Sequence, residues 1–154
     1  MEKYKAFLDE VAKNIGLSAF RSDESGLVSV RVDDAYNVNL QYVEATGKVL
    51  CFIEMAQLPS DASKVVYRDL LAAGLFGKET AGGYFALEPE TETVVYNYTF
   101  DLGKASADID EFVSTLEKIL QLCDLWSERI MSDINGGAKS GSSSAHEEHE
   151  LIRV

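Results

Sequence analysis

The stretch AAGLFGKETAGGYFALEPET, residues 72–91, decides the fold. A helix-like run of alanines and leucines ends on Gly74-Leu75-Phe76-Gly77. A glycine pair follows, then an alternating run from Tyr84 to Glu88 and a turn at Pro89-Glu90-Thr91-Glu92. The glycines suggest either a phosphate cradle or a connection between a helix and a hairpin. A phosphate loop needs Gly, four residues, then Gly-Lys-Ser/Thr, placed after a strand and before a helix. Here Glu79 follows Gly77-Lys78, Ala72 stands where the first glycine should be, and the loop leaves a helix. A carboxylate at Glu79 would also repel phosphate. The connection reading fits better. Gly74 and Gly77 are expected in the left-handed conformation that ends a helix, with Gly82-Gly83 turning the chain into a strand. Leu75 and Phe76 are expected to be pinned into apolar surface at the exit.

Working towards the N-terminus, a helix is predicted over 62–73, capped by Ser60 or Asp61. Its apolar residues Val65, Val66, Leu70 and Leu71 spread over more than one stripe. A short helix of this kind is buried on two sides or buries its second side in a partner. Before it, the period is two. Val28, Val30 and Val32 alternate with polar residues, Asp33-Asp34 make a turn, and Tyr36, Val38, Leu40 and Tyr42 alternate again. After the turn at 44–48, VLCFIEM (49–55) is apolar on both faces and reads as a strand covered on both sides. Tyr4, Phe7, Leu8, Val11 and Ile15 share one face of an N-terminal helix that Gly16 ends.

Towards the C-terminus, TVVYNYTF (93–100) completes a second hairpin. The longest helix spans 108–131, with Phe112, Ile119, Cys123, Trp126 and Ile130 at helical spacing. The order α-βββ-α-ββ-α gives an α+β fold, an antiparallel sheet covered by helices. Residues 1–134 form one domain, and 135–154, Gly/Ser-rich and then acidic, read as a disordered tail.

The net charge of −12 excludes nucleic acid as a natural partner. No apolar run reaches the roughly 20 residues that cross a membrane, and the charged N-terminus does not read as a signal peptide. Cys51 and Cys123 sit in apolar patterns and read as buried hydrophobes of a reducing, cytoplasmic compartment. His146 and His149, the two histidines, lie in the tail at a spacing that makes no rigid metal site, and the folded part holds no histidine for nucleophilic catalysis. The carboxylates Asp33, Asp34, Glu88 and Glu90 sit in turns, where they serve turn geometry. The residues predict neither an enzyme nor a cofactor or metal. They do leave surplus apolar surface and seven tyrosines, which suit a partner-binding dimer.

Residues 3–131 resemble the class I chaperones of bacterial type III secretion, the Tir-chaperone (CesT-like) family. The resemblance is carried by VSVRVDDAYNVNLQY (28–42), by residues 67–95, and by Leu122, Trp126 and Arg129 in the closing helix. The family pattern runs Leu-Leu-x-Ala-Asn-Leu-Phe-Gly, a Gly-rich loop, then Leu-Ala-Leu-Asp-Pro-Glu-Thr-Gly. It is met by Leu70, Leu71, Ala73, Leu75, Phe76 and Gly77, then by Gly82, Gly83, Phe85, Ala86, Leu87, Glu88, Pro89, Glu90 and Thr91. Gly74 replaces the Asn and Glu92 the last Gly. The resemblance implies a small acidic homodimer in the bacterial cytoplasm. It would hold the N-terminal segment of a secreted effector in extended form and deliver it to the export apparatus, with its ATPase or sorting components as further partners. It implies a dimer interface at Tyr67, Leu70, Leu71, Leu75 and Phe76. Candidate effector contacts are Phe7, Leu8, Val11, Val30, Leu40, Tyr42, Phe52, Tyr84 and Val95. A scaffold or regulatory dimer of the same fold, binding a folded partner, is the alternative.

Overall fold

The structure, a computed structural model, describes residues 1–18 and 20–137. The elements are α1 (Glu2–Ile15), β1 (Leu27–Val32), β2 (Tyr36–Val43), β3 (Lys48–Gln57), α2 (Lys64–Ala73), a 3-10 turn (Leu75–Gly77), β4 (Tyr84–Glu88), β5 (Thr93–Asp101), α3 (Leu102–Ala107) and α4 (Ile109–Gly137). The α+β order expected from periodicity is present, with one short helix, α3, added. The α3 segment is too short to show a period. It forms because Asp101 accepts a hydrogen bond from the Lys104 backbone N–H, while Leu102 and Ala105 are buried.

The sheet is antiparallel, with strand order β1-β2-β3-β5-β4. Asp33 and Asp34 both take φ 52°, the backbone of a tight hairpin turn that short polar side chains tolerate. Arg31 steadies this turn by donating to the Asp34 carbonyl and to Asn37. Because α2 and β4 intervene before β5 returns beside β3, β4 becomes an edge strand.

One face of the sheet carries Val28, Val38, Leu40, Val49, Cys51, Ile53, Tyr96 and Phe100, packed against α1, α3 and α4 in one core. A second cluster, Leu58, Val66, Val94 and Ile130, sits under α2 at the β4–β5 end. All four helices therefore lie on the same face, and among the described residues no element covers the other. This corrects the reading of β3 as covered on both sides. Val49, Cys51 and Ile53 point into the core, while Leu50 remains 39% exposed on the open face. Burial pushes the Cys51 and Cys123 thiols up to about 12, so both behave as core hydrophobes. Helix α4 continues through Gly137, past the helix end expected at 131. The remainder of the expected tail, with His146 and His149, lies outside the described residues.

Candidate interaction surfaces

Two surfaces stand out. The first is α2 with its exit. The cap is Ser63, whose hydroxyl accepts from the Val65 N–H at 3.2 Å, rather than Ser60 or Asp61, because Pro59 and Ala62 close a turn ahead of the helix. Val66 and Ala73 are buried, and Tyr67 and Leu70 pack half-buried on the Leu58 cluster. Leu71, Leu75 and Phe76 are 81%, 65% and 85% exposed, so the expectation that Leu75 and Phe76 are pinned down at the exit is not met. The backbone explains this. Gly74 stays right-handed at φ −72°, Gly77 takes the expected left-handed backbone at φ 66°, and Phe76 ahead of it is also left-handed, at φ 58°, with its ring exposed.

The exit loop is braced from below. The Trp126 indole N–H donates to the Glu79 carbonyl at 3.3 Å. Arg129 lies over the Trp126 ring at 4.6 Å, pairs with Asp69 at 3.2 Å and reaches Glu79 at 3.8 Å. A hydrogen bond with Asp133 and the Arg129 guanidinium hold Asp69 below the usual carboxylate range. Burial and the Asp69 charge push Asp133 up to about 6. Further along the loop, the Tyr96 hydroxyl donates to the Thr80 carbonyl at 2.7 Å, and Thr80 is fully buried.

The second surface is the open sheet face. Cross-strand register places Ser29, Asn39, Phe52, Asn97 and Tyr84 in one row across all five strands. Val95, between Glu54 and Ala86, lies diagonally next to Phe52 and Tyr84. Tyr84 is 56% exposed, and Phe52 and Val95 are half-buried. The Asn39 amide donates to the Phe52 carbonyl, and the Asn97 amide to the Val95 carbonyl, so the polar members of the row are tied to the sheet itself. Leu50 extends the apolar strip and was not singled out from the sequence.

The structure thus divides the nine candidate effector contacts. Phe52, Tyr84 and Val95 come together on the open face. Phe7, Leu8, Val11 and Leu40 lie in the core, and Val30 and Tyr42 are half-buried on the helix-covered face, Tyr42 stacked on Tyr4 at 4.8 Å. Of the acidic turn residues, Glu88 is occupied by its own turn. It accepts from the Thr91 hydroxyl and backbone N–H at 2.6 and 2.7 Å, bonds that lower its pKa.

The sequence pattern of the Tir chaperone protein (CesT) family matches residues 6–127. The chain belongs to that family. As a CesT-family protein it is a type III secretion chaperone, in agreement with the resemblance carried by residues 72–91. The fold is shared with solved structures of low sequence identity. A chain of the ExsC-ExsE complex superposes with a TM-score of 0.72 at 20% identity, covering 82% of this chain and 92% of that one. The HopA1-SchA chaperone-effector complex gives 0.62 at 19%, with 82% and 91% covered. The ExoU-SpcU complex from the type III secretion system of Pseudomonas aeruginosa gives 0.61 at 16%, with 84% and 98% covered. No curated protein sequence matches the chain. Among the described residues of this CesT-family chain, no helix is long and apolar enough to cross a membrane.

Proposed function

We propose that this CesT-family chain acts in the bacterial cytoplasm as a homodimer. It holds the N-terminal segment of a secreted effector in extended form, keeps it soluble and hands it to the export apparatus. The observation that carries this reading is the open sheet face, where Leu50, Phe52, Tyr84 and Val95 form an apolar strip that no helix among the described residues covers. An extended segment laid on such a strip gains apolar burial without folding, and the cost of ordering it keeps release feasible. The dimer contact falls on Leu71, Leu75 and Phe76, the most exposed large apolar residues around α2. The role is binding, with no catalytic step.

Light scattering with co-expressed candidate effectors tests this reading. The free protein is expected at twice 16.9 kDa, and the complex at two chaperones per effector, with one effector segment protected from protease. Tyr84→Ala, at an exposed site, is expected to weaken capture while leaving the dimer and its melting temperature unchanged. A dimer that ignores every unfolded segment but captures a folded protein would replace the chaperone reading with a regulatory one.

A further inference from the structure

The outer side of α4 carries a shallow recess of about 470 Å³ that no role above uses. Its floor is Leu122, Leu125 and Trp126, and its rim is Glu79, Lys118 and Arg129. Leu125 is 66% exposed at its mouth. Lys118, Leu122, Leu125 and Arg129 recur every three or four residues, so they form one stripe along α4, apolar at its centre with a cation at each end. Lys118 is exposed and pairs with no carboxylate among the described residues. Arg129 pairs with Asp69, yet its side chain remains 46% exposed. Glu79 is the single carboxylate among the lining residues, on a chain of net charge −12. The recess therefore suits a short segment that is both acidic and apolar.

We propose that residues 147–152, EEHELI, cover the recess of their own molecule, with Glu147, Glu148 and Glu150 beside Lys118 and Arg129 and with Leu151 and Ile152 on Leu122 and Leu125. Three observations favour this occupant. The first is charge, since the segment sets three carboxylates against the two cations of the rim. The second is composition. Leu151 and Ile152 are adjacent large apolar side chains that the floor of the recess can take out of water. The third is reach. Residues 147–152 lie outside the described residues, so the comparison is one of chain length. Helix α4 runs to Gly137, and Leu125 lies about 18 Å back along it at roughly 1.5 Å per residue. A chain of the length and Gly/Ser content of residues 138–146, AKSGSSSAH, spans about 17 Å on average and about 30 Å at full extension. The segment is thus delivered to the recess at an effective concentration in the millimolar range, where contacts too weak to form between separate molecules are populated. A recess covered in this way is withheld from other acidic, apolar segments until one of higher affinity displaces the chain's own.

Crosslinking within the full chain tests the contact. Leu125→Cys and Ile152→Cys are placed in one chain and exposed to a mild oxidant, and the linked peptides are read by mass. Cys51 and Cys123 are buried and do not compete. The control pairs Leu125→Cys with Ser144→Cys, which lies closer along the chain and which loop length alone would favour slightly. The Leu125–Ile152 pair is nevertheless expected to link at least about fivefold faster, because docking and not chain length sets its proximity. Adding Glu147→Lys, Glu148→Lys and Glu150→Lys is expected to bring its rate down to that of the control. Equal rates for the two pairs, or a rate that the three charge reversals leave unchanged, would overturn the proposal. A disulfide that forms as readily between mixed chains carrying one cysteine each would assign the recess to the segment of a second copy and overturn the contact within one molecule. Leu125→Cys that reacts with N-ethylmaleimide at the same rate with and without the charge reversals, but is protected by a bound effector, would assign the recess to the effector instead.

Discussion

A Cβ built on Gly83 overlaps the Asn97 carbonyl and the Tyr96 phenol, and both are fixed. The first belongs to the β4–β5 ladder, and the second is committed to the Thr80 carbonyl. Gly83→Ala is therefore expected to cost about 1–3 kcal/mol, read from the urea midpoint. The Gly-rich loop thus exists for a close approach of backbone to ring, not for phosphate. Asp133 supplies a second test at this scale. Its folded pKa lies near 6, above the ordinary 3.8, so the native state favours the protonated form. The stability it contributes is full below the ordinary value and is lost as pH rises through about 6. Asp69, held low, contributes in the opposite sense, above the ordinary carboxylate range. Asp133→Asn keeps a donor for Asp69 and removes the charge. It is expected to melt higher than the unaltered protein at neutral pH, with the gap closing as pH falls towards the ordinary carboxylate range. A gap that does not change with pH would mean that Asp69 and Asp133 do not share a proton.

At the scale of elements, α1 shows how periodicity identifies a helix without identifying its role. Phe7, Leu8 and Val11 share one face, as their spacing requires, and that face is buried against the sheet. Phe7 packs edge-on against Phe112 of α4 at 4.9 Å, so α1 locks the long helix to the core. Phe7→Ala is expected to destabilise the fold by about 3–5 kcal/mol, as deletion of a buried aromatic ring does. Effector capture should survive at temperatures where the variant remains folded. If capture is lost while the melting temperature stays put, α1 contacts the client directly. β3 taught the converse lesson. Its apolar residues on both faces were legible, but among the described residues only one face is covered, so the apolar residues of the other mark a surface.

For the whole molecule, charge and shape act together. Two copies of a chain carrying −12 repel each other at long range while their apolar surfaces attract at contact. Salt screens the first term and leaves the second. The dimer is therefore expected to tighten as ionic strength rises from about 0.01 to 0.15 M, where the screening length shrinks from roughly 30 to 8 Å. Sedimentation at several salt concentrations checks this, and a dimer that loosens with salt would place ion pairs, not apolar contacts, at its centre.

The sequence by itself determined the order of the elements apart from α3, the two hairpins, the turns at Asp33-Asp34 and Pro89–Glu92, and the membership that residues 72–91 announce. These are local properties, carried by periods of two or nearly four and by residues that tolerate special backbone angles. The tertiary structure alone decided which side of each strand is free. Alternation distinguishes two faces but does not say which one the helices choose. Phe52, Tyr84 and Val95 could be separated from Leu40 and Val30 only once α1, α3 and α4 had packed down. It also decided that Phe76, and not Gly74, takes the left-handed turn. The same loop is braced by Trp126 and Arg129, which are far away in sequence, an interaction that no local pattern encodes.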